Sequence, residues 1–148
     1  MYDVILNSIE EYKRDIQLIY KDLTVNYENS NKSIYMRGDK MRLSQVLHNL
    51  LDNAGKFTKK GSITVTTAIK SDKVQVTVKD TGIGIHPEIF PKLFSKFVTK
   101  SDKGTGLRLF ISKSIIEAHG GNIWAESGSQ QKGATFIFTL PLLNQGNI

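Results

Sequence analysis

The segment from Leu43 to Phe57 constrains the fold most. Leu43, Val46, Leu47, Leu50, Leu51, Ala54 and Phe57 recur at spacings of three and four, so a helix built on them is apolar around most of its circumference. Gln45, Asn49, Asn53 and Lys56 are left as one narrow polar stripe. Amides in a stripe on a largely buried helix need hydrogen-bonding partners, because an unsatisfied buried amide costs roughly 1 to 3 kcal/mol. Three partners are open: water, if the stripe faces solvent, a polar ligand, or a hydrated metal.

A strand pattern leads to a second polar group. Val74, Val76 and Val78 alternate with Gln75, Thr77 and Lys79, which is the period of a half-buried strand. Asp80 keeps the parity of the valines, so its carboxylate is expected on the core side of the sheet, where an ionised group requires a donor. Gly82 and Gly84 follow at once and offer a surface without side chains that a flat ligand can approach. Alone, such a run also fits a plain strand exit and turn. Further on, Lys103-Gly104-Thr105-Gly106 runs into an apolar-periodic segment with Leu107, Phe110, Ile111, Ile115 and Ala118. Free N–H groups at a helix start, with glycines ahead of them, form an anion site; a glycine-rich helix entry without a ligand fits the same residues. The spacing matches neither the Gly-x-x-x-x-Gly-Lys-Ser/Thr phosphate loop nor a Gly-x-Gly-x-x-Gly turn.

The remaining chain supplies the frame. Helices are predicted near Val4 to Tyr20, from about Lys40 to Phe57, from Pro87 toward Phe97 as a short piece, and from Gly106 to His119, where Gly120-Gly121 is a stop signal. Strands are predicted near Thr24 to Glu28, Ser33 to Arg37, Ser62 to Ile69, Lys73 to Lys79, Asn122 to Ser127 and Ala134 to Leu140. Strands pairing mostly as hairpins, with helices on one face, make an α+β fold: a two-layer sandwich whose mixed, largely antiparallel sheet is covered on one face by about three helices. The 148 residues, 39% hydrophobic and 23% charged, read as one domain over 1–148 with a substantial core. No apolar run approaches the roughly 18 residues of a membrane span and no basic-then-apolar leader opens the chain, so a cytoplasmic domain without direct membrane contact is expected. The lack of cysteine excludes disulfides and thiol catalysis. A net charge of +6, spread without an aromatic-interleaved basic motif, fits a solvated surface better than a nucleic-acid partner.

Four motifs in order carry a resemblance. Asn49-Leu50-Leu51-Asp52-Asn53-Ala54-Gly55-Lys56-Phe57, Asp80-Thr81-Gly82-Ile83-Gly84, the stretch from Phe90 to Phe97, and Gly104-Thr105-Gly106-Leu107 resemble the box set of sensor histidine kinase catalytic domains. These belong to the wider ATPase group of gyrase, Hsp90 and the mismatch-repair ATPases, with a Bergerat-type ATP-binding fold. The resemblance covers nearly the whole chain and implies ATP and Mg2+ as cofactors. It implies that Asn53 ligates the magnesium bridging the phosphates, that Asn49 and Lys56 lie near metal and phosphate as the catalytic pair, and that Asp80 accepts from the adenine amine. Phe57 then sits beside the base, Gly82, Gly84 and Ile85 belong to the adenine loop, and Gly104, Thr105, Gly106 and Leu107 hold the phosphates. Phe94 and Phe97 are read mainly as packing.

One position departs from the family pattern. Where relatives usually close the second loop with Gly-Leu-Gly-Leu, this chain has Gly106-Leu107-Arg108-Leu109. Either the guanidinium crowds the site, the reading favoured here, or it swings out and adds positive charge near the phosphates. His48, His86 and His119 lack the setting of a phosphoacceptor and read as structural or surface residues. The chain is therefore expected to be a catalytic and ATP-binding fragment, monomeric in isolation, of a larger sensor, with membrane anchoring of the parent left open, whose histidine-bearing dimerisation domain, and then a response regulator, are its partners. Two alternatives stand behind this. A slow ATP hydrolase of the same superfamily is disfavoured because Asn49 stands where those relatives carry a glutamate base. A degenerate nucleotide-binding or interaction module would follow from impairment by Arg108.

Overall fold

The computed structural model describes residues 23–29, 38–58, 61–85, 87, 88, 90–96, 107–127 and 133–142, with the backbone alone for Leu23, Asn29, Lys56 and Phe57. In chain order the elements are β1 (Leu23–Asn29), α1 (Lys40–Phe57), β2 (Gly61–Lys70), β3 (Lys73–Asp80), a single 3-10 turn (Phe90–Lys92), α2 (Arg108–Ala118), β4 (Asn122–Ser127) and β5 (Ala134–Pro141). The helix predicted over Val4 to Tyr20, the strand over Ser33 to Arg37, and the loop from Val98 to Lys103 lie outside the described residues.

One sheet runs in the order β1-β2-β3-β5-β4. β1 and β2 are parallel, which requires a crossover, and α1 lies in that connection. The other neighbours are antiparallel: β2 with β3, β3 with β5, and β5 with β4. Ser71, with φ of 57°, lies in the tight turn between β2 and β3. Register aligns the core-facing side chains in rows across the sheet, Val65 opposite Val78 and Val78 opposite Phe136, then Val76 opposite Phe138. At the end of β3 the row reads Ile63, Asp80, Ala134.

The apolar circumference of α1 behaves as its spacing predicts. Leu43, Val46, Leu47, Leu50, Leu51 and Ala54 are all buried, in one cluster with Ile63, Val65, Val74, Val76, Val78, Ile116, Phe136, Phe138 and Leu140. Each large side chain so buried contributes about 1.5 to 3 kcal/mol. Asp39 caps α1, its Oδ1 accepting from the N–H groups of Met41 (3.0 Å) and Arg42 (3.3 Å). α2 packs on α1 and reaches β4 and β5, so both helices cover the same face of the sheet. The observed fold is thus the expected α+β sandwich with a mostly antiparallel sheet.

Two boundaries differ from expectation. The short helix predicted from Pro87 shrinks to Phe90–Lys92, where i to i+3 bonds link Leu93 to Phe90 (3.4 Å) and Ser95 to Lys92 (3.1 Å), the tighter pattern favoured in isolated single turns. α2 begins at Arg108, two residues after Gly106, with Leu107 as an N-cap that offers no side-chain hydrogen bond. It ends as predicted at His119, where Gly120 and Gly121 donate back to Glu117 and Ile116.

Candidate functional site

The Asp80 loop is pinned from both sides. Thr81 N–H donates to the Ser62 carbonyl (3.1 Å) and Ser62 N–H returns a bond to the Thr81 hydroxyl (3.0 Å), fixing the loop to the start of β2. On the other side Gly133 N–H donates to the Gly82 carbonyl at 2.7 Å. Gly133 has φ of 79°, and a side chain there would run into the Asp80 carbonyl, so this approach is open only to glycine. Gly84, buried with φ of 84°, turns the chain beyond the loop, and half-buried Ile85 packs on the core.

Asp80 lies on the core face, 2% exposed, as its parity with the valines predicts. Its Oδ1 accepts from Gly82 N–H (2.9 Å) and Ala134 N–H (3.2 Å). Its Oδ2 is buried without a hydrogen-bond partner among the described residues. Burial pushes the carboxyl pKa above its ordinary value, against the opposing pull of the Gly82 and Ala134 N–H groups and of the nearby Thr58 hydroxyl. That hydroxyl approaches closely enough to be felt but not in full hydrogen-bond geometry, and it too is a buried atom without a partner.

The polar stripe of α1 meets the start of α2. Asn49 Nδ2 donates to Ser112 Oγ (3.1 Å) and to the Arg108 carbonyl (3.3 Å), so part of its hydrogen-bonding capacity is met inside the protein. Asn53, half-buried one turn further along, makes no side-chain hydrogen bond among the described residues. The Arg108 guanidinium forms an ion pair with Asp52, the residue preceding Asn53, and both side chains are about half exposed. Neither expectation for Arg108 anticipated this partner. Lys56 lies one further turn along the α1 backbone with Phe57 beside it, and half-buried Leu107 precedes α2. Gly104, Thr105, Gly106, His86 and Phe97 lie outside the described residues.

Packing supports the site from behind. Phe94 meets Phe136 edge to face at 6.4 Å between centroids, in keeping with its reading as a packing residue. Lys96 Nζ lies 4.9 Å from the centre of the Phe110 ring, tying the segment after the 3-10 turn to α2. His119 joins the far ends of the two helices: its Nε2 accepts from Asp39 N–H (3.0 Å) and its Nδ1 donates to the Ile115 carbonyl (2.8 Å). Its structural reading therefore stands. Sequence reasoning missed Ser112, a fully buried serine on an apolar helix, and Thr58, a buried threonine just past the stripe. A polar residue at a core position of a helical period was the available signal in the first case.

Known proteins are similar to this chain in sequence and in fold. Sensor protein FixL of Bradyrhizobium diazoefficiens is 42% identical over 111 residues, covering 72% of this chain and 22% of that protein. Sensor protein SrrB of Staphylococcus aureus is 38% identical over 138 residues, covering 88% of this chain and 23% of its own. The chain thus spans less than a quarter of the length of these sensor proteins. Among solved structures, the nucleotide-free catalytic domain of histidine kinase ThkA superimposes with a TM-score of 0.83 at 35% identity, covering 94% of this chain and 90% of that one. Full-length ShkA in complex with AMPPNP gives 0.85 at 28% identity, over 97% of this chain and 30% of that one. ThkA in complex with response regulator protein TrrA gives 0.80 at 31% identity, over 95% and 40%. The family model for histidine kinase-, DNA gyrase B- and HSP90-like ATPases matches residues 38–144, and the chain belongs to that family, among its sensor histidine kinase ATP-binding domains.

Proposed function

We propose that the chain, as a single catalytic domain, binds ATP with magnesium and presents the γ-phosphate to a histidine on a separate dimerisation domain of a longer sensor kinase. The observation that carries this reading is Asp80 Oδ2, a buried acceptor lacking a donor at the base of a loop pinned by β2 and β5. An exocyclic adenine amine supplies that donor, and half-buried Gly82 adds no side chain beside the carboxylate, while Gly84 is buried beneath the loop. Phe57 and Ile85 then border the base. The phosphates would lie toward the start of α2, where Leu107 caps the helix without a side-chain hydrogen bond and where the resemblance would bring in Gly104, Thr105 and Gly106.

The residues present fit a magnesium ion carried in on the phosphates. Among the described residues no cluster of three or more His, Cys, Asp or Glu could hold a metal by itself. The Asn53 amide, without a hydrogen bond among the described residues, would contribute an oxygen, with Asn49 and Lys56 on the same stripe toward metal and phosphate. The bound ion would neutralise charge on the phosphoryl oxygens. Asn49 uses its N–H groups toward Ser112 and Arg108 and offers no proton acceptor of useful basicity, which favours phosphotransfer by positioning over activation of water. The AMPPNP held by ShkA and the response regulator bound to ThkA support a nucleotide and a downstream regulator as partners here. No described helix is long and apolar enough to cross a membrane.

Calorimetric titration tests the reading. ATP and ADP should bind in preference to GTP, whose ring sets a carbonyl against the carboxylate. Asp80→Ala should weaken ATP binding about ten- to a hundredfold, the equivalent of roughly 1 to 3 kcal/mol. Equal affinity of the folded wild-type chain for ATP and GTP would remove Asp80 from the adenine.

A further inference from the structure

β4 is an outer strand of the sheet and, among the described residues, pairs on one side alone, with β5. Edge strands are usually guarded against further pairing by lysine, proline or a bulge. β4 has none of these. It reads Asn122-Ile123-Trp124-Ala125-Glu126-Ser127 in a chain with 20 Lys and Arg, and its pairing with β5 runs unbroken from Asn122 to Ser127. Ile123 belongs to the core cluster beneath the helices, so Trp124 stands on the opposite face of the sheet, directly across from Ile137. Trp124 is 36% exposed, a large aromatic surface on a strand whose outer side no described strand takes up.

We propose that β4 is a self-association edge, pairing antiparallel with β4 of a second copy so that two five-stranded sheets join into one. A two-fold axis makes the same patch serve both copies. Residues directly opposite across an antiparallel pair share a face, so the axis must pass between the two copies of one residue. At Trp124 it sets Trp124 against the same residue of the second copy and Asn122 against the second copy's Glu126, all on the face away from the helices. On the helical face Ile123 meets the second copy's Ala125. Amide donates to carboxylate twice over, and each apolar side chain meets an apolar one. An axis at Ile123 or Ala125 instead sets Trp124 against Asn122 or Glu126, and one at Glu126 sets two carboxylates together. This match of face, polarity and charge along the strand selects a second copy as the occupant. Contact from Asn122 to Glu126 buries less than the about 1,200 Å² of a stable interface, so the dimer is weak and the monomer expected in isolation holds at low concentration. None of these residues belongs to the nucleotide site.

Trp124 is the only tryptophan in the chain, which makes the contact readable by itself. Two tryptophans facing each other across strands give an exciton couplet in circular dichroism, and one alone gives none. Sedimentation equilibrium and circular dichroism are recorded on the full chain from about 10 μM to about 1 mM. The expected result is a monomer–dimer equilibrium with a couplet that grows in step with the dimer. Asn122→Lys sets an ammonium against each Glu126 and should tighten the dimer about two- to thirtyfold, whereas Asn122→Asp should weaken it by a similar factor. Trp124→Thr should remove most of the association, with thermal melts establishing that each variant folds. A wild-type chain that stays monomeric over the whole range would overturn the proposal. So would a dimer without a couplet, or one that both Asn122 substitutions shift in the same direction, since either means that another surface is used.

Discussion

Asp80 is held in a state that suits a ligand better than the empty protein. Its Oδ1 is saturated by two N–H groups while Oδ2 is buried and unmatched, and burial raises its pKa. Because the folded pKa lies above the unfolded one, the native state binds the proton more tightly. The contribution of Asp80 to stability is fully present below the unfolded pKa near 3.8 and is lost as pH rises through the raised folded value. At neutral pH the ionised carboxylate is therefore a cost to the ligand-free fold. Asp80→Asn should raise the melting temperature of the ligand-free chain at pH 7, with the advantage shrinking as pH falls toward 4. The same substitution should weaken ATP binding. Urea unfolding of both proteins across this pH range measures the first effect, and a stability difference independent of pH would refute the assigned cause.

The two helices are tied antiparallel at both ends, by His119 on the Asp39 N–H and by Asn49 and Asp52 on the first turn of α2. Through this junction a substitution at the start of α2 is felt on the polar stripe of α1. Arg108 stands where the family usually has glycine, and its pairing with Asp52 holds a long side chain beside the start of α2, where the phosphates are proposed to lie. Arg108→Gly should strengthen ATP binding by clearing that space. It should also destabilise the fold by up to about 1 kcal/mol, the usual limit for a half-exposed ion pair. Titration at two salt concentrations decides the matter: a loss of affinity, greatest at low salt, would mean that the guanidinium helps to hold the phosphates.

For the molecule as a whole, the histidines set the expected reaction. His119 is committed to Asp39 and Ile115, and His48 lies within α1. With ATP and magnesium the isolated chain should neither label itself nor release phosphate quickly. Adding a cognate dimerisation domain in trans should yield acid-labile, alkali-stable phosphohistidine on that partner, slowly, because separate domains lack the effective concentration that a linker provides. Labelled phosphate on His48, His86 or His119 of the lone chain would overturn the assignment, and brisk steady-state release would favour a hydrolase.

What was legible in the sequence is what local period and chain order encode. The apolar circumference of α1, the valine parity that buries Asp80, the glycine stop after α2 and the hairpin strands all follow from interactions within a few residues, and the ordered motifs identify the family. The partners of the polar groups were not legible. Asn49 meets Ser112 across 63 residues, Arg108 meets Asp52 across 56, and Asp39 meets His119 across 80. Such pairs require α1 and α2 to pack side by side on one face of the sheet, which the parallel β1–β2 crossover and the β3–β5 pairing set. The hydroxyl of Thr58 beside Asp80 belongs to the same class: sequence shows a threonine past a helix and an aspartate ending a strand, and tertiary packing alone makes them buried neighbours.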